Sequence, residues 1–129
     1  MNESVAPLLL IYNPDEKKKT PLSELCARKG ITLRIVQPGH WLEPIGVLAG
    51  IPGMMPTGLL YEGPVFSDEM LLFNGFDNQM LGDFLTEYRK AGIEKINLKA
   101  TITPYNLSWN SLQLRDELNR EHEELTGNK

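Results

Sequence analysis

Leu8-Leu9-Leu10-Ile11-Tyr12 is a run of five apolar side chains held between Pro7 and Asn13-Pro14. A strand with one wet face alternates, whereas a short run apolar at every position suits a strand covered on both faces. The run therefore reads as a strand in the interior of a sheet. Beyond it, Asp15 to Lys19 is polar and reads as a loop. Thr20-Pro21 reads as a helix start, because threonine accepts from free N–H groups and proline fits the first helical position. Leu22, Leu25 and Cys26 recur at helical spacing, Gly30 falls where a left-handed C-terminal cap belongs, and Thr32 to Val36 alternates as a second strand.

The same order recurs further on. Met70 to Phe73 (MLLF) is an apolar strand. Asp77 is placed to cap a helix, with Phe76 and Leu81 at the positions of a hydrophobic staple. Leu81, Phe84, Leu85 and Tyr88 follow the i, i+3, i+4, i+7 pattern, and Gly92 ends the helix with Ile93 folding back on Tyr88. Lys95 to Thr103 then alternates strictly. Ile96, Leu98, Ala100 and Ile102 are expected on one face, and Lys95, Asn97, Lys99, Thr101 and Thr103 on the other. A last helix is expected from Ser108 to Leu125, with Leu107, Leu114, Leu118 and Leu125 on one stripe and Trp109 and Leu112 pointing elsewhere.

Tyr12-Asn13 and Phe73-Asn74, Arg28-Lys29-Gly30-Ile31 and Arg89-Lys90-Ala91-Gly92-Ile93, and the Pro38/Trp41 and Pro104/Trp109 pairs are shared landmarks. They suggest an internal duplication. The expectation is a single α/β domain over 1–129, with halves at 5–50 and 69–126 and a connector at 51–68 rich in glycine and proline. Leu59, Leu60, Tyr61, Val65 and Phe66 of the connector must pack somewhere. Wholly apolar strands belong in the centre and alternating ones at the edge, so a four-stranded sheet of order 2-1-3-4 follows, with helices packed on it. The central pair is either parallel, as in a doubly wound sheet, or antiparallel, as in a ferredoxin-like one. Parallel is expected, since burial on both central faces asks for helices on both sides.

The 129 residues are 41% hydrophobic and 23% charged, with a net charge of −4, a globular composition that argues against nucleic acid as a partner. Cys26 is the one cysteine, so no internal disulfide supports the fold. The acidic Met1-Asn2-Glu3-Ser4 start lacks the layout of a signal peptide, and no apolar run reaches the roughly 18 residues of a membrane span. A cytoplasmic protein without membrane contact is expected.

His40, His122 and Cys26 fall at no metal-ligand spacing, and no metal or other cofactor is expected. Cys26, on the apolar stripe of the first helix, reads as a core residue. There is no G-x-S-x-G, G-x-G-x-x-G or P-loop. The glycine-rich run Ile45 to Gly53 begins as a helix whose small residues allow a close approach to the sheet. Lys17-Lys18-Lys19 reads as a solvated surface. Leu98 to Trp109 is the most distinctive stretch. In it Lys99, Thr101 and Thr103 line one face of a strand end, and Asn106, Ser108 and Trp109 open the next helix beside them. Lys99, Thr101, Thr103, Asn106 and Trp109 form a candidate patch for a small anionic ligand or a peptide terminus. The same residues also serve as strand formers, helix caps and a gap-filling ring.

Leu98-Lys99-Ala100, Thr103-Pro104, Asn106, Trp109, Leu112 and Glu121-His122, with Glu69-Met70 ahead of the strand, resemble a bacterial family catalogued as the domain of unknown function numbered 3783. The resemblance covers about 68–124. Tyr105 departs from it, standing where a small polar residue is expected. The resemblance implies a bacterial, cytoplasmic protein and no particular activity. Three readings of function remain: a binding or regulatory module for a small ligand or protein partner, using the patch; a homodimer joined through an edge strand or the Trp109 and Leu112 side of the last helix; and, third in order, an enzyme using Lys99 with Asp15 or Asp77.

Overall fold

The computed structural model describes residues 7–125; the Met1–Ser4 start and the outer ends of the two halves, 5–6 and 126, lie outside the described residues. β1 (Leu8–Tyr12) is buried at every position and sits inside a four-stranded sheet. β2 (Thr32–Ile35) pairs with it in parallel, β3 (Met70–Asn74) lies antiparallel on its other side, and β4 (Leu98–Thr101) runs parallel to β3. The order is β2-β1-β3-β4, as expected. The central pair is antiparallel, which corrects the parallel expectation. Leu8 stands opposite Asn74, Leu10 opposite Leu72 and Tyr12 opposite Met70.

The premise behind the parallel expectation still holds, because both faces are covered. Leu9, Ile11, Leu71 and Phe73 point to α1 (Glu16–Arg28) and α3 (Asn78–Lys90), meeting Leu22, Leu25, Cys26, Phe84 and Tyr88. Leu8, Leu10, Tyr12, Met70 and Leu72 point the other way. There the cover is mixed. It comprises Trp41 after a 3-10 turn at Pro38–His40, Ile45 of the four-residue α2 (Ile45–Leu48), Tyr61 and Phe66 of the connector, and Leu114 of α4 (Ser111–Leu125). Trp41 stacks on Phe66 with ring centroids 3.9 Å apart. A crossover helix on the second face is therefore not needed.

The two helices of the first face end alike. Gly30 (φ 70°) and Gly92 (φ 75°) take the left-handed conformation that glycine adopts without a Cβ clash. Behind each, the N–H of Ile31 or Ile93 reaches back to the carbonyl of Cys26 or Tyr88. Helix starts are less uniform. Asp77 caps α3 by accepting from Met80 N–H at 2.8 Å, as expected, and the staple pair Phe76 and Leu81 packs on the core. α1 starts one turn before the expected Thr20-Pro21, capped by Asp15 on Lys17 N–H. Pro21 is thus interior, at the cost of the hydrogen bond its N–H would have given to Lys17. The early start has a cause in tertiary structure. Glu69, just ahead of β3, accepts from Asp15 N–H at 2.9 Å and from the buried Lys18 ammonium at 2.6 Å. Lys18 is therefore no surface lysine.

α4 starts at Ser111, not Ser108, because Asn110 and Gln113 cap each other's backbone N–H groups at 2.9 Å. Its expected stripe fades along its length: Leu114 is buried, Leu118 half-buried and Leu125 exposed. In the connector Tyr61 and Phe66 pack inward as expected, but Leu59, Leu60 and Val65 are exposed. The connector is tied down by polar contacts instead. Asn13 donates to the carbonyls of Phe66 and Asp68, Arg115 grips Asp68 at 2.6 Å, and Glu43 accepts from Thr57 N–H at 2.7 Å and Gly58 N–H at 3.0 Å. The Thr57 N–H, with lesser help from Gly58 and His40, holds the Glu43 carboxyl below the usual range against the opposing effect of burial.

Tyr12 and Ser111 share a 2.6 Å hydrogen bond, fully buried, that joins the central strand to α4. Burial pushes the Tyr12 phenol above its ordinary range, with the Ser111 bond acting the other way. Ser111→Ala strands that hydroxyl and is expected to cost about 1–3 kcal/mol in urea unfolding, whereas the double variant Tyr12→Phe/Ser111→Ala recovers most of the loss. Glu69→Ala leaves the Lys18 ammonium buried with no carboxylate beside it and only the Lys95 carbonyl, at 3.5 Å, in reach. It is expected to cost about 3 kcal/mol or more, against under about 0.5 kcal/mol for Glu16→Ala, whose partner Lys19 is exposed.

Candidate functional site

β4 is an edge strand, and its residues divide between the two faces of the sheet. Leu98 and Ile102 enter the core beneath α4. Lys99 stands beside Leu71 of β3 and points to the α3 side. The expected alternation holds from Leu98 onward but not before it. Ile96 belongs to the α1/α3 core, opposite to Leu98, because the chain enters the sheet only at Leu98 and the turn after Gly92 sets the preceding residues. Two contacts hold this irregular stretch: Lys99 Nζ donates to the Ile96 carbonyl, and Lys18 Nζ reaches the Lys95 carbonyl at 3.5 Å.

Lys99 lies at a cleft of about 280 Å³ between α3 and β4. Leu71, Leu85, Ile93, Ile96 and the ring of Tyr88 line it, and Arg89, Lys95 and Lys99 supply its charge. The Tyr88 hydroxyl is committed inside the fold, donating to the Glu94 carbonyl at 2.6 Å. Partial burial lowers the Lys99 ammonium from its usual range, and the neighbouring Lys95 lowers it further.

Of the other members of the expected patch, Asn106 and Trp109 share a second recess with Lys99, on the α4 side of β4. Asn106 is buried and its amide is spent: it donates to the Thr101 carbonyl at 3.1 Å and accepts from Thr103 N–H at 3.0 Å. Thr103 Oγ1 accepts from Tyr105 N–H at 3.2 Å, and the Thr101 side chain faces solvent. Trp109 is half-buried, packs on the second core and meets Tyr105 edge to face at 5.3 Å. With Asn106, Leu114, Glu117 and Leu118 it borders a separate recess on the α4 side of β4, which Lys99 also touches. The five residues are thus neighbours along one strand and turn, divided between two faces. Arg89, Lys95 and the apolar walls of the α3-side cleft were not among the sequence candidates. Their signal was present but weak: two cations flanking the Gly92 turn, on either side of a helix end.

Other candidates resolve as framework. Asp15 and Asp77 follow the antiparallel β1 and β3, so they stand at opposite ends of the sheet, each capping a helix, and no carboxylate pair forms there with Lys99. Cys26 is buried, and its thiol is pushed up to about 11 by that burial. In the glycine-rich run the amides of Ile45 and Gly46 donate to the carbonyls of Trp109 and Leu107, both at 2.8 Å. Gly46 does allow a close approach, but to Leu107 and Met54 of neighbouring loops and not to the sheet. Among the described residues no group of three or more His, Cys, Asp and Glu could hold a metal ion, and no helix is long and apolar enough to cross a membrane.

Residues 69–125 match the DUF3783 family model. DUF3783 is a domain of unknown function, and the match spans the β3-α3-β4-α4 half. No curated protein and no solved structure matches the chain. All eight residues that line the α3-side cleft fall inside the DUF3783 segment, while the first half contributes the β1 pairing, Lys18 and Tyr12 that hold the segment in place.

Asn106→Ala removes both bonds that shape the Thr101–Thr103 turn and is expected to cost about 1–3 kcal/mol in chemical unfolding. Ser108→Ala, at an exposed position, is expected to stay within about 0.5 kcal/mol of the parent.

Proposed function

We propose that this chain is a cytoplasmic bacterial binding module whose ligand seat is the cleft between α3 and β4. The observation that carries the reading is the position of Lys99. Among the described residues its side chain pairs with no carboxylate; it stands, partly desolvated, at a cleft with apolar walls. Its ammonium has one hydrogen bond within the fold, to the Ile96 carbonyl, and its remaining N–H donors are open to a group that arrives. The spent amide of Asn106 and the inward packing of Trp109 and Leu112 leave the α4 side with less to offer a ligand, or a second copy of the chain. Asp15 and Asp77 each cap a helix and neither pairs with Lys99, which supports binding over turnover. The bacterial and cytoplasmic setting is part of this proposal, and a single buried thiol is in keeping with it.

A library of small fragments of mixed charge, followed by methyl and amide NMR shifts, tests the reading. Hits are expected to move the resonances of Leu71, Leu85, Ile93 and Ile96 together, and Lys99→Met is expected to weaken the charged hits at least tenfold while the melting temperature changes by less than about 3 °C. A library that leaves those resonances still, or moves only the Tyr105–Trp109 recess, overturns the assignment of the seat.

A further inference from the structure

The α3–β4 cleft has a composition that selects among small ligands. Its walls are carbon: four aliphatic side chains and the ring of Tyr88. Every charged side chain that lines it, among the described residues, is a cation. Among the described residues, Arg89, Lys95 and Lys99 take part in no ion pair, as holds also for Lys17, Arg28, Lys29 and Arg34, but these three are the ones gathered around a cleft with apolar walls. The whole chain carries a net charge of −4, and although Glu69 and Glu94 act on Tyr88 from nearby, no carboxylate among the described residues lines the opening itself. A neutral apolar guest leaves these cations uncompensated, and an inorganic anion leaves the carbon walls unfilled. A volume of about 280 Å³ lies at the lower end of small-molecule sites and is too small for a dinucleotide.

We infer that the cleft takes a small amphiphilic carboxylate, with its anionic head held by Lys99, Lys95 and Arg89 and its apolar body against Leu71, Leu85, Ile93 and Ile96. This rests on the reading of the cleft as the ligand seat and specifies what it seats. The head gains charge-assisted hydrogen bonds in a partly desolvated setting, and the body gains by leaving water. The two contributions are separable, since one answers to charge and salt and the other to chain length.

The test is a series of linear carboxylates from acetate to decanoate, titrated by calorimetry into the intact chain, with the matching alcohols and amines and with inorganic phosphate beside them. Each added methylene is expected to tighten binding about fourfold until the cleft is full. The alcohol of equal length is expected to bind at least tenfold more weakly than the acid, and the amine more weakly still. Lys99→Met is expected to erase the preference for acid over alcohol while alcohol binding persists, which shows that the variant is folded. Lys95→Gln, at an exposed position, is expected to reduce the preference in part. Phosphate or acetate binding as tightly as octanoate overturns the inference in favour of a plain anion site. Octanol or octylamine equal to octanoate overturns it in favour of an unselective apolar crevice. Either result leaves the cleft as a ligand seat. If every fragment and every member of the series leaves the cleft resonances unmoved, the seat itself is lost.

Discussion

Two adjacent strands, β1 and β3, carry apolar side chains on both faces, and the rest of the molecule is arranged to cover them. One face is met by a pair of helices that end in the same glycine turn. The other is met by a patchwork of a tryptophan, a four-residue helix, two connector aromatics and the last helix. Burying both faces of two five-residue strands is the main apolar gain available to a chain of this size, and it removes all of their backbone groups from water. The antiparallel direction of the pair satisfies those groups by direct exchange between the strands. It also sends the chain out of the sheet at opposite ends, which separates the two helix-capping aspartates and leaves the edge strands β2 and β4 as the parts that face outward.

A second layer of constraint is polar and long-range. Glu69 holds the start of α1 through Asp15 and Lys18, Asn13 holds the end of the connector, Arg115 clamps Asp68 while lying over Phe66, and Ser111 meets Tyr12. Each joins segments about fifty residues apart or more. Together they explain how a stretch rich in glycine and proline, without regular structure, is held in one path across the second face of the sheet.

Strand identity, sheet order and the two cap-and-turn endings were legible because each depends on local chemistry: Leu8–Tyr12 has no polar position, and Gly30 and Gly92 take a conformation that other residues resist. What depended on distant partners was not legible. Lys18 read as solvated because nothing nearby announced Glu69, and α1 read as starting at Pro21 for the same reason. The direction of β3 was not legible, because much of the cover of the second face is built of loops, which have no periodicity to read. Within the candidate site, Lys99 was visible as a charge on an alternating strand. Asn106 was visible only as a residue with two possible roles, and the structure assigns its amide to the turn. Arg89 and Lys95 joined Lys99 only once the chain had folded back from Gly92.

The Asn106 amide has one more consequence. Thr101 and Thr103 direct a carbonyl and an N–H away from β3, where an additional strand would present its own N–H and carbonyl to receive them. The asparagine side chain offers that same pair of groups, so it impersonates a fifth strand. A stray extended segment from another molecule finds the docking rungs already taken at that end. On the β4 margin, lateral growth is thereby checked by a decoy side chain at the strand's end, with no further element of structure spent on covering it.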